Sequence, residues 1–396
     1  MQQAASSERI RAGYRGVAVA TPVTFGYAKR SAHGVHWHLG GVLRELLRRS
    51  GLGKADVDGL IVASYMLMPD HAATLAEYFG MSPRLALDVR QGGASGVVAL
   101  RHAARAVQSG DADVVACIAG DVPPADSSFS ANFSTFARDH VFPHGAGGPN
   151  VVFALITANY MRAHGARPED FGRVCVAQRE NGSHFPGALL STPLTLEEYL
   201  AARPISEPLR LYDCVMRCSG AEGFLVMSED RASRLGIPWA AIAATVVPLN
   251  GAPEEPVQER VGIALDRDEL WRQASLGPAD MRFVQAYDDY PVIVMMQLES
   301  LGFCGKGQGA RFVRERDLTV HGDLPLNTNG GMLALGQAGA AGGFVGMTEA
   351  LRQLTGQALG RPVPDATAGV VSGYGTVNYD RGICSAAAVL KSGKRA

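Results

Sequence analysis

A glycine-rich stretch, Gly92-Gly93-Ala94-Ser95-Gly96, stands directly before a segment with apolar residues at helical spacing, residues 97–108. The first amides of a helix lack intrahelical acceptors and carry partial positive charge, so such an entrance can stabilise an oxyanion on a ligand. The stretch matches neither GxGxxG nor GxxxxGK[ST], so nucleotide binding is not predicted. A structural alternative stays open, in which the small residues let two central helices pack closely.

Thiol and imidazole groups are the other obvious carriers of chemistry. Six cysteines are scattered along the chain, and only Cys214 and Cys218 stand close together. No second pair or histidine lies at zinc-ligand spacing, so we predict buried, reduced thiols and no metal site. His144 lies in a loop-rich region and could contact substrate or titrate near neutral pH, although a loop histidine is more often a solvent-exposed bystander.

Composition bounds the elements that must position these residues. The 396 residues are 47% hydrophobic and 19% charged, which suffices for a large apolar core in two domains. The 37 basic and 38 acidic residues nearly cancel, which argues against a nucleic-acid-binding surface. The sequence shows no membrane-spanning segment and no secretion signal, so we expect a cytoplasmic protein.

Three regions of the chain differ in their patterns. Residues 8–120 alternate strand and helix patterns, which is typical of βαβ units in a mostly parallel sheet. Residues 121–213 are rich in aromatic residues, proline and histidine, and long irregular insertions of this kind are usually functional. We predict an N-terminal half at 8–120 that is completed by 214–250, and a C-terminal half at 251–394.

The two halves resemble each other. Residues 55–63 are similar to 279–286, and residues 93–103 are similar to 339–350. In the second pair, a run of small residues opens an amphipathic helix of similar length. Because the order of these features recurs, we predict an internal duplication of an αβαβα-type unit.

Six motifs follow one another along nearly the whole chain: Gly93–Gly96 before a helix, residues 213–224, Tyr287-Asp288-Asp289-Tyr290, residues 297–304, residues 326–331 and residues 336–342. In their order and spacing they resemble the thiolase superfamily, nearest to its sterol-carrier or lipid-transfer type. The resemblance implies a thiolase fold, a CoA thioester as substrate and no bound cofactor.

Departures from the family pattern fall at the reactive positions. Thiolases carry a nucleophilic cysteine where this chain has Gly93, which cannot form an acyl-enzyme. The family's Gly-His-Pro reads Gly336-Gln337-Ala338, and a glutamine can donate to an oxyanion but is no base near neutral pH. The family's His-Asp-Cys-Phe or Asn-Glu-Ala-Phe is Tyr287-Asp288-Asp289-Tyr290. The last family cysteine has no clean counterpart; Ser372 and Tyr374 stand nearest.

This joint loss resembles the cysteine-free aldolase branch, which cleaves β-hydroxyacyl-CoA from steroid side chains. It implies a retro-aldol carbon–carbon lyase for a 3-hydroxyacyl-CoA, steroid side-chain-like or otherwise branched, with no acyl-enzyme. Tyr287 is the first candidate for proton transfer at the hydroxyl, shared with Tyr290 or Tyr374; with a free pKa of about 10 it needs a cationic or hydrogen-bonding neighbour. Gln337 and amides near Gly93 would hold the enolate oxygen. The space left by the cysteine would admit a branched substrate.

The resemblance also places Gly93, Ser95, His144 and Asn329 at the substrate-binding site. Each candidate has a structural alternative. Tyr290 could belong to the apolar core, Tyr374 could pack beside a turn and Gln337 could merely fill space. Asp288 and Asp289 could cap the helix that follows them.

Two rival functions stay open. One is a non-catalytic thiolase-like subunit of a multi-enzyme acyl-transfer complex, and the other is an acyl-CoA acyltransferase with a different nucleophile, such as Ser95 or Cys304. The resemblance further implies a homodimer whose strands pair across a two-fold axis. It also implies a complex with a small zinc-ribbon/OB-fold protein.

Overall fold

The computed structural model describes residues 13–123, 139–145, 148–378 and 381–393. The strands are β1 Val17–Ala28, β2 Gly59–Ala63, β3 Leu85–Asp88, β4 Val114–Asp121, β5 Pro204–Ser206, β6 Leu209–Arg210, β7 Ser219–Ser228, β8 Trp239–Val246, β9 Phe283–Ala286, β10 Ala368–Asn378 and β11 Arg381–Ser392. The helices are α1 Val35–Ser50, α2 Ala72–Phe79, α3 Ser95–Ser109, α4 Pro149–His164, α5 Pro168–Ser183, α6 Leu196–Ala201, α7 Glu229–Arg234, α8 Ile263–Ala274, α9 Pro291–Leu301, α10 Gly309–Glu315, α11 Gly331–Leu335 and α12 Gly342–Thr355.

A nine-stranded sheet in the order β3-β2-β4-β7-β1-β8-β11-β10-β9 organises the described residues. Read from its centre outward, one side runs β1-β7-β4-β2 and the other β8-β11-β10-β9. Strands β1 and β8 meet antiparallel at the centre, with Ala18 opposite Ala241. The two sides therefore repeat one connectivity, and only the first carries an extra edge strand, β3. This repetition confirms the predicted duplication.

Strand direction in the sheet is mixed. Strands β2 and β3, β2 and β4, and β9 and β10 pair in parallel, and the remaining neighbours are antiparallel. The parallel pairs lie at the two ends of the sheet, where strand–helix–strand crossovers connect neighbouring strands. The expected parallel sheet is thus confined to these ends, because the last strand of each half returns antiparallel.

Two central helices, α3 and α12, pack against each other through their glycine-rich first turns. A methyl group on Gly96 would lie 2.2 Å from the carbonyl oxygen of Gly343, and one on Gly343 would lie 2.7 Å from the carbonyl oxygen of Gly92. No side chain fits at such distances without moving backbone. The close-packing interpretation of these small residues is therefore confirmed.

The inserted region is more helical than its composition indicated. Helices α4 and α5 lie within it, and a short hairpin of β5 and β6 follows α6. Its buried aromatic residues, such as Phe153 and Tyr160, join the core beneath α9. Among the described residues, no helix is both long enough and apolar enough to cross a membrane. The proposed domain boundaries stay a prediction.

Candidate active site

The position that holds the nucleophile in thiolases is occupied here by backbone, and an aromatic ring fills the space beside it. Gly93 lies in a 3₁₀ turn, Gly92–Ala94, that opens α3. A β-carbon on Gly93 would lie 2.1 Å from Cε2 of Tyr287 and 2.3 Å from the carbonyl oxygen of Tyr374. The space that was expected to be free for a branched substrate is therefore filled by the Tyr287 ring.

Tyr287 reaches this position because it directly follows β9, at the carboxyl end of a parallel strand pair. Its amide donates to the carbonyl of Ser372 in β10 at 3.0 Å. The Gln297 amide of α9 donates to the Tyr287 carbonyl at 2.6 Å, and the Gln297 carbonyl accepts from the Ser372 hydroxyl at 2.7 Å. The side chain is only 8% exposed. The backbone of Tyr287 is thus fixed by two buried neighbours.

Three side chains form a hydrogen-bonded cluster, which we call the Tyr287–Asp289–Gln337 cluster. The Gln337 amide donates to the Tyr287 hydroxyl at 3.1 Å and to Oδ1 of Asp289 at 2.6 Å. The Gln337 amide thus bridges the Tyr287 hydroxyl and the Asp289 carboxylate, which lie close enough for each group to shift the pKa of the other. Gln337 is held by its own backbone, which bonds to Met216 and Cys218 at 2.8 and 3.0 Å. The motif around residue 218 therefore serves to place Gln337.

The electrostatics of the cluster assign different roles to its acidic groups. Burial raises the pKa of Asp289 to about 7, with the nearby Tyr287 hydroxyl opposing the rise and Asp288 adding to it. Burial, followed by the charge of Asp289, raises the pKa of Tyr287 well above its ordinary value. Near neutral pH Tyr287 is therefore a protonated phenol, and Asp289 is the group that gains or loses a proton. Tyr287 has a carboxylate neighbour rather than a cation, so it cannot be a base by itself.

Asp288, the neighbour of Asp289, has a structural role. Its carboxylate accepts from the amides of Met332 and Leu333, each at 3.0 Å, and from Gln178 at 2.5 Å. It therefore caps α11, whereas the sequence predicted a cap on the helix that follows the motif. That helix, α9, begins after Tyr290 without a side-chain cap. Local sequence pointed to the nearest helix, but the chain folds back to present a different one.

The two other candidate tyrosines point their hydroxyl groups into the core. Tyr290 stacks on Phe153, with ring centroids 4.0 Å apart, and donates to Asn150 at 2.6 Å. Tyr374 is fully buried and donates to Gln258 at 2.5 Å. Only the backbone carbonyl of Tyr374 reaches the Gly93 turn. The structure therefore does not bring these two hydroxyls to Tyr287, and the core interpretation fits both residues.

The candidate substrate-binding residues separate into two groups. Gly93 and Asn329 line one small cavity, together with Ser372. Ser95 is fully buried, and its hydroxyl accepts from the Gln91 amide at 3.1 Å, which closes the turn. His144 ends an exposed 3₁₀ turn beside residues 146–147, which lie outside the described residues.

Thiol chemistry finds no support at the described cysteines. Burial, followed by Glu299, raises the pKa of the Cys304 thiol to about 12. Burial likewise raises the pKa of Cys218 to about 12. Both thiols are thus protonated near neutral pH, whereas a nucleophilic cysteine needs a depressed pKa. Within the described residues, no group of three or more His, Cys, Asp or Glu side chains could hold a metal ion.

A second carboxylate and a further tyrosine, neither of them predicted as site residues, border the cluster. Asp121 ends β4 and accepts from the Ser64 hydroxyl at 2.6 Å, from the Met66 amide at 2.8 Å and from the Ala340 amide at 2.7 Å. Tyr65, in the turn so held, lines a cleft with Gln337 and Asp121. Asp121 is the last residue of β4, and Tyr65 follows the end of β2. Ligands of parallel sheets bind at the carboxyl ends of the strands, so these positions could have identified both residues.

Comparisons with known proteins agree with this geometry. A family model described as thiolase C-terminal domain-like matches residues 268–388. The 17-hydroxy-3-oxo-4-pregnene-20-carboxyl-CoA lyase of Mycobacterium tuberculosis is 33% identical over 340 residues, which cover 80% of this chain and 85% of that protein. A steroid side-chain-cleaving aldolase of Thermomonospora curvata is 30% identical over 344 residues, covering 82% and 87%.

Solved structures give the same result. The structure called Ltp2-ChsH2(DUF35) aldolase superposes with a TM-score of 0.80 at 27% identity, covering 95% of this chain and 98% of the other. Identities of 33% and 30% along most of both chains, together with this superposition, show a family relationship and not only a shared fold. The chain belongs to the thiolase superfamily, in its aldolase branch.

Proposed function

We propose that the protein is a retro-aldol lyase that cleaves the Cα–Cβ bond of a branched 3-hydroxyacyl-CoA, of the steroid side-chain type, without an acyl-enzyme. The observation that carries the proposal is the Tyr287 ring in the space of the missing nucleophile, with its hydroxyl joined through the Gln337 amide to the Asp289 carboxylate, whose pKa is raised to about 7. The names of the two relatives, a pregnene-carboxyl-CoA lyase and a steroid side-chain-cleaving aldolase, support the substrate class.

In the proposed mechanism, Tyr287 and Asp289 act as one relay. The phenol accepts the proton of the 3-hydroxyl while it passes its own proton to the Asp289 carboxylate. The Cα–Cβ electrons then move to the thioester carbonyl as the 3-oxygen becomes a carbonyl, and the enolate of the shorter acyl-CoA leaves. A proton at the α-carbon completes the second product. No bond to the enzyme forms, which fits a glycine at residue 93.

Gln337 takes a different part from the one first expected. Its side-chain amide donates to both Tyr287 and Asp289, so it orients the relay rather than the enolate oxygen. The amides of Gly92 and Gly93 stay the proposed donors to that oxygen, since their turn opens a long central helix. Asn329 lines the same cavity as Gly93 and is proposed to contact the thioester end of the substrate.

The rival functions fit the structure less well. A scaffold subunit has no need of a buried carboxylate with a raised pKa, since keeping it charged costs folding free energy at neutral pH. An acyltransferase needs an activated nucleophile, but Ser95 closes a turn and the thiol of Cys304 is protonated.

The proposal is tested with purified protein and a branched 3-hydroxyacyl-CoA, by following release of the carbonyl product and of the shorter acyl-CoA. Tyr287→Phe keeps the ring that fills the Gly93 space and removes only the hydroxyl; we expect kcat to fall by about 10³-fold. Tyr78→Phe, at a tyrosine that is 70% exposed on α2, is the matched control. An unchanged rate in Tyr287→Phe, or an acyl adduct in the intact mass of the protein, would contradict the mechanism.

We also propose a complex with a small zinc-ribbon/OB-fold protein. The structural neighbour is called an Ltp2-ChsH2(DUF35) aldolase, and its likeness to this chain covers 95% of the residues, which supports a similar partner. Co-expression with a DUF35-type protein followed by size-exclusion chromatography tests the complex. Elution of the two chains apart at micromolar concentration would contradict it.

A homodimer through β3 is the proposed oligomer. The other end of the sheet, β9, is buried and bonded to the 325–327 segment, with the Val284 amide 2.8 Å from the Pro325 carbonyl and the Asn327 amide 2.9 Å from the Val284 carbonyl. In β3, by contrast, Ala86, Leu87 and Asp88 are exposed. An open edge invites a second strand. Leu87→Lys should shift the sedimentation coefficient from dimer to monomer; a wild-type monomer would contradict the proposal.

The cell compartment is proposed from the cysteines. All six carry free thiols. Reduced thiols are the usual state in the cytoplasm, which supports cytoplasmic localisation. Fractionation of the native host, with immunodetection of the chain, tests this assignment.

A further inference from the structure

Two tyrosines, one from each half of the fold, converge on consecutive glycines of the α3 entrance. The ring of Tyr287 lies 2.1 Å from the β-carbon position of Gly93. The hydroxyl of Tyr65 lies 3.1 Å from the β-carbon position of Gly92. Tyr287 follows β9 and Tyr65 follows β2, which occupy equivalent places in the two halves. The mechanism proposed above uses only the first of these phenols.

The position of Tyr65 is fixed by a buried carboxylate. Asp121 accepts from the Tyr65 amide at 3.0 Å and from the amide of the next residue at 2.8 Å. The same carboxylate also accepts from the Ala340 amide in the turn that opens α12. Asp121 therefore ties the Tyr65 turn to the opposite half of the molecule. The Tyr65 ring is held by this turn at a defined place beside the cluster.

The hydroxyl of Tyr65 is available for chemistry. Tyr65 is partly exposed and lines the cleft that Gln337 also lines, whereas Tyr287 is buried. Within the described residues, no protein group hydrogen-bonds the Tyr65 hydroxyl. Burial, followed by the charges of Asp121 and Asp289, raises the pKa of Tyr65 above its ordinary value. Near neutral pH it is therefore a protonated phenol in the lining of this cleft.

Retro-aldol cleavage needs two proton transfers at different atoms. One proton leaves the 3-hydroxyl, and the relay of Tyr287 and Asp289 accounts for it. The other must reach the α-carbon of the enolate. A group that takes the proton from the oxygen is badly placed to protonate the carbon as well. A second acid at the neighbouring glycine can make the transfer to carbon.

We infer that Tyr65 is a further catalytic residue, the acid that protonates the α-carbon of the enolate. Its phenolic proton goes to carbon, and the enolate electron pair forms the new C–H bond. The resulting phenolate is reprotonated through solvent in the cleft by the proton that Asp289 gained from the 3-hydroxyl. The cycle thus consumes no external acid. This inference rests on the proposed lyase function.

The test is cleavage of an α-methyl-branched 3-hydroxyacyl-CoA in D₂O, with the configuration of deuterium at the α-carbon of the acyl-CoA product as readout. The wild type should introduce one deuterium on one face. Tyr65→Phe should lower kcat by about 10²-fold and release the enolate to solvent, which labels both faces. Because the Tyr65 hydroxyl has no protein partner to lose, the melting temperature should not change. Tyr78→Phe is the matched surface control.

The outcomes separate the two proposals. A Tyr65→Phe variant that retains wild-type kcat, or that still labels one face, overturns the role of Tyr65 alone. A wild type that cleaves no 3-hydroxyacyl-CoA overturns the lyase function, and the inference with it. A slow, stereorandom Tyr65→Phe beside a slow but stereospecific Tyr287→Phe supports both assignments.

Discussion

The helix entrances of the two halves have the same shape but different contents. At the α3 entrance, Gly93 is covered by the ring of Tyr287, which comes from the C-terminal half. At the α12 entrance, a β-carbon on Gly339 would lie 2.1 Å from Oδ2 of Asp121, which comes from the N-terminal half. Each entrance is therefore closed by a residue of the other half.

This exchange shows how a duplicated fold can change its chemistry. In thiolases, as the sequence resemblance implies, the reactive group stands on the α3 entrance itself. Here the entrance is bare, and the titrating group, Asp289, stands on the loop after β9. The carboxylate of Asp121 at the second entrance is fully engaged by amides and a hydroxyl. Asp289, from the C-terminal half, thus supports the proposed reaction, whereas Asp121, from the N-terminal half, holds the two halves together.

Asp289→Asn should have the largest effect on activity, because it removes the titrating group of the C-terminal half. The amide cannot accept the relayed proton, so we expect kcat to fall by about 10³-fold with little change in KM. Asp268→Asn, at an aspartate whose side chain is 91% exposed, is the control. Steady-state kinetics of both variants measure the effect, and a loss below tenfold would assign the proton to another group.

Gly93→Cys tests whether the α3 entrance can regain the family nucleophile. The new β-carbon would overlap Tyr287 and the Tyr374 carbonyl, so we expect activity to fall by about 10²-fold and stability by about 1–3 kcal/mol. Intact mass after incubation with acyl-CoA should show no adduct. Gly34→Ala, at a glycine with no atom within 4 Å of its β-carbon position, is the control.

A second variant makes this test decisive. Tyr287→Ala should remove the overlap between the new side chain and the Tyr287 ring. The double variant of Gly93→Cys and Tyr287→Ala should therefore be more stable than the sum of the two single variants indicates. Additive stabilities in chemical denaturation would show that the ring does not occupy the nucleophile's place.

The pH dependence of kcat/KM should report on Asp289 and not on Asp121. The active form of Asp289 is the carboxylate, and its pKa is raised to about 7. We therefore expect kcat/KM to rise with pH and level off above about 7, with a roughly tenfold lower value one pH unit below that. Asp289→Asn should remove this limb from the residual activity. A profile that is flat between pH 5.5 and 8 would contradict the assignment.

Stability should respond to the same group in the opposite sense. Since the folded pKa of Asp289 lies above its unfolded value, folding favours the protonated form, and this stability is lost as pH rises through about 7. Asp289→Asn should therefore raise the melting temperature more at pH 8 than at pH 5. Equal changes at both pH values would show that Asp289 is not buried as described.

Asp121→Asn sharpens the structural side of the comparison with a smaller effect on activity. An amide offers one oxygen where the carboxylate serves several donors, so buried donors lose partners at a cost of about 1–3 kcal/mol. Because the Tyr65 turn loosens, kcat should fall severalfold. Thermal unfolding and kinetics test this together; full activity with a lowered melting temperature would make Asp121 purely structural.

His144→Ala should have the smallest effect. The residue is exposed and lies neither on the loop after β9 nor at the end of β4. We expect kcat/KM to change by less than about twofold, as for surface substitutions away from the site. A loss of tenfold or more would return His144 to the site and enlarge the role of the inserted region.

Sequence reasoning reached the fold and the missing nucleophile for a physical reason. Small residues at a helix entrance, apolar runs in strands and the repeat of both along the chain are local or periodic signals. The family motifs added the site positions of Gly93, Tyr287 and Gln337. Asp289 was visible as well, but its best local explanation was a helix cap.

Tertiary structure decided everything that depends on which groups face each other. The sequence determined that residue 93 cannot carry an acyl group, because that follows from the absence of a side chain. It could not determine that the ring of Tyr287 fills the vacant place, that Asp289 titrates near neutral pH or that Tyr65 joins from the other half. Burial and contacts between residues far apart in the chain, such as Gly93 and Tyr287, set these properties, and no local pattern encodes them.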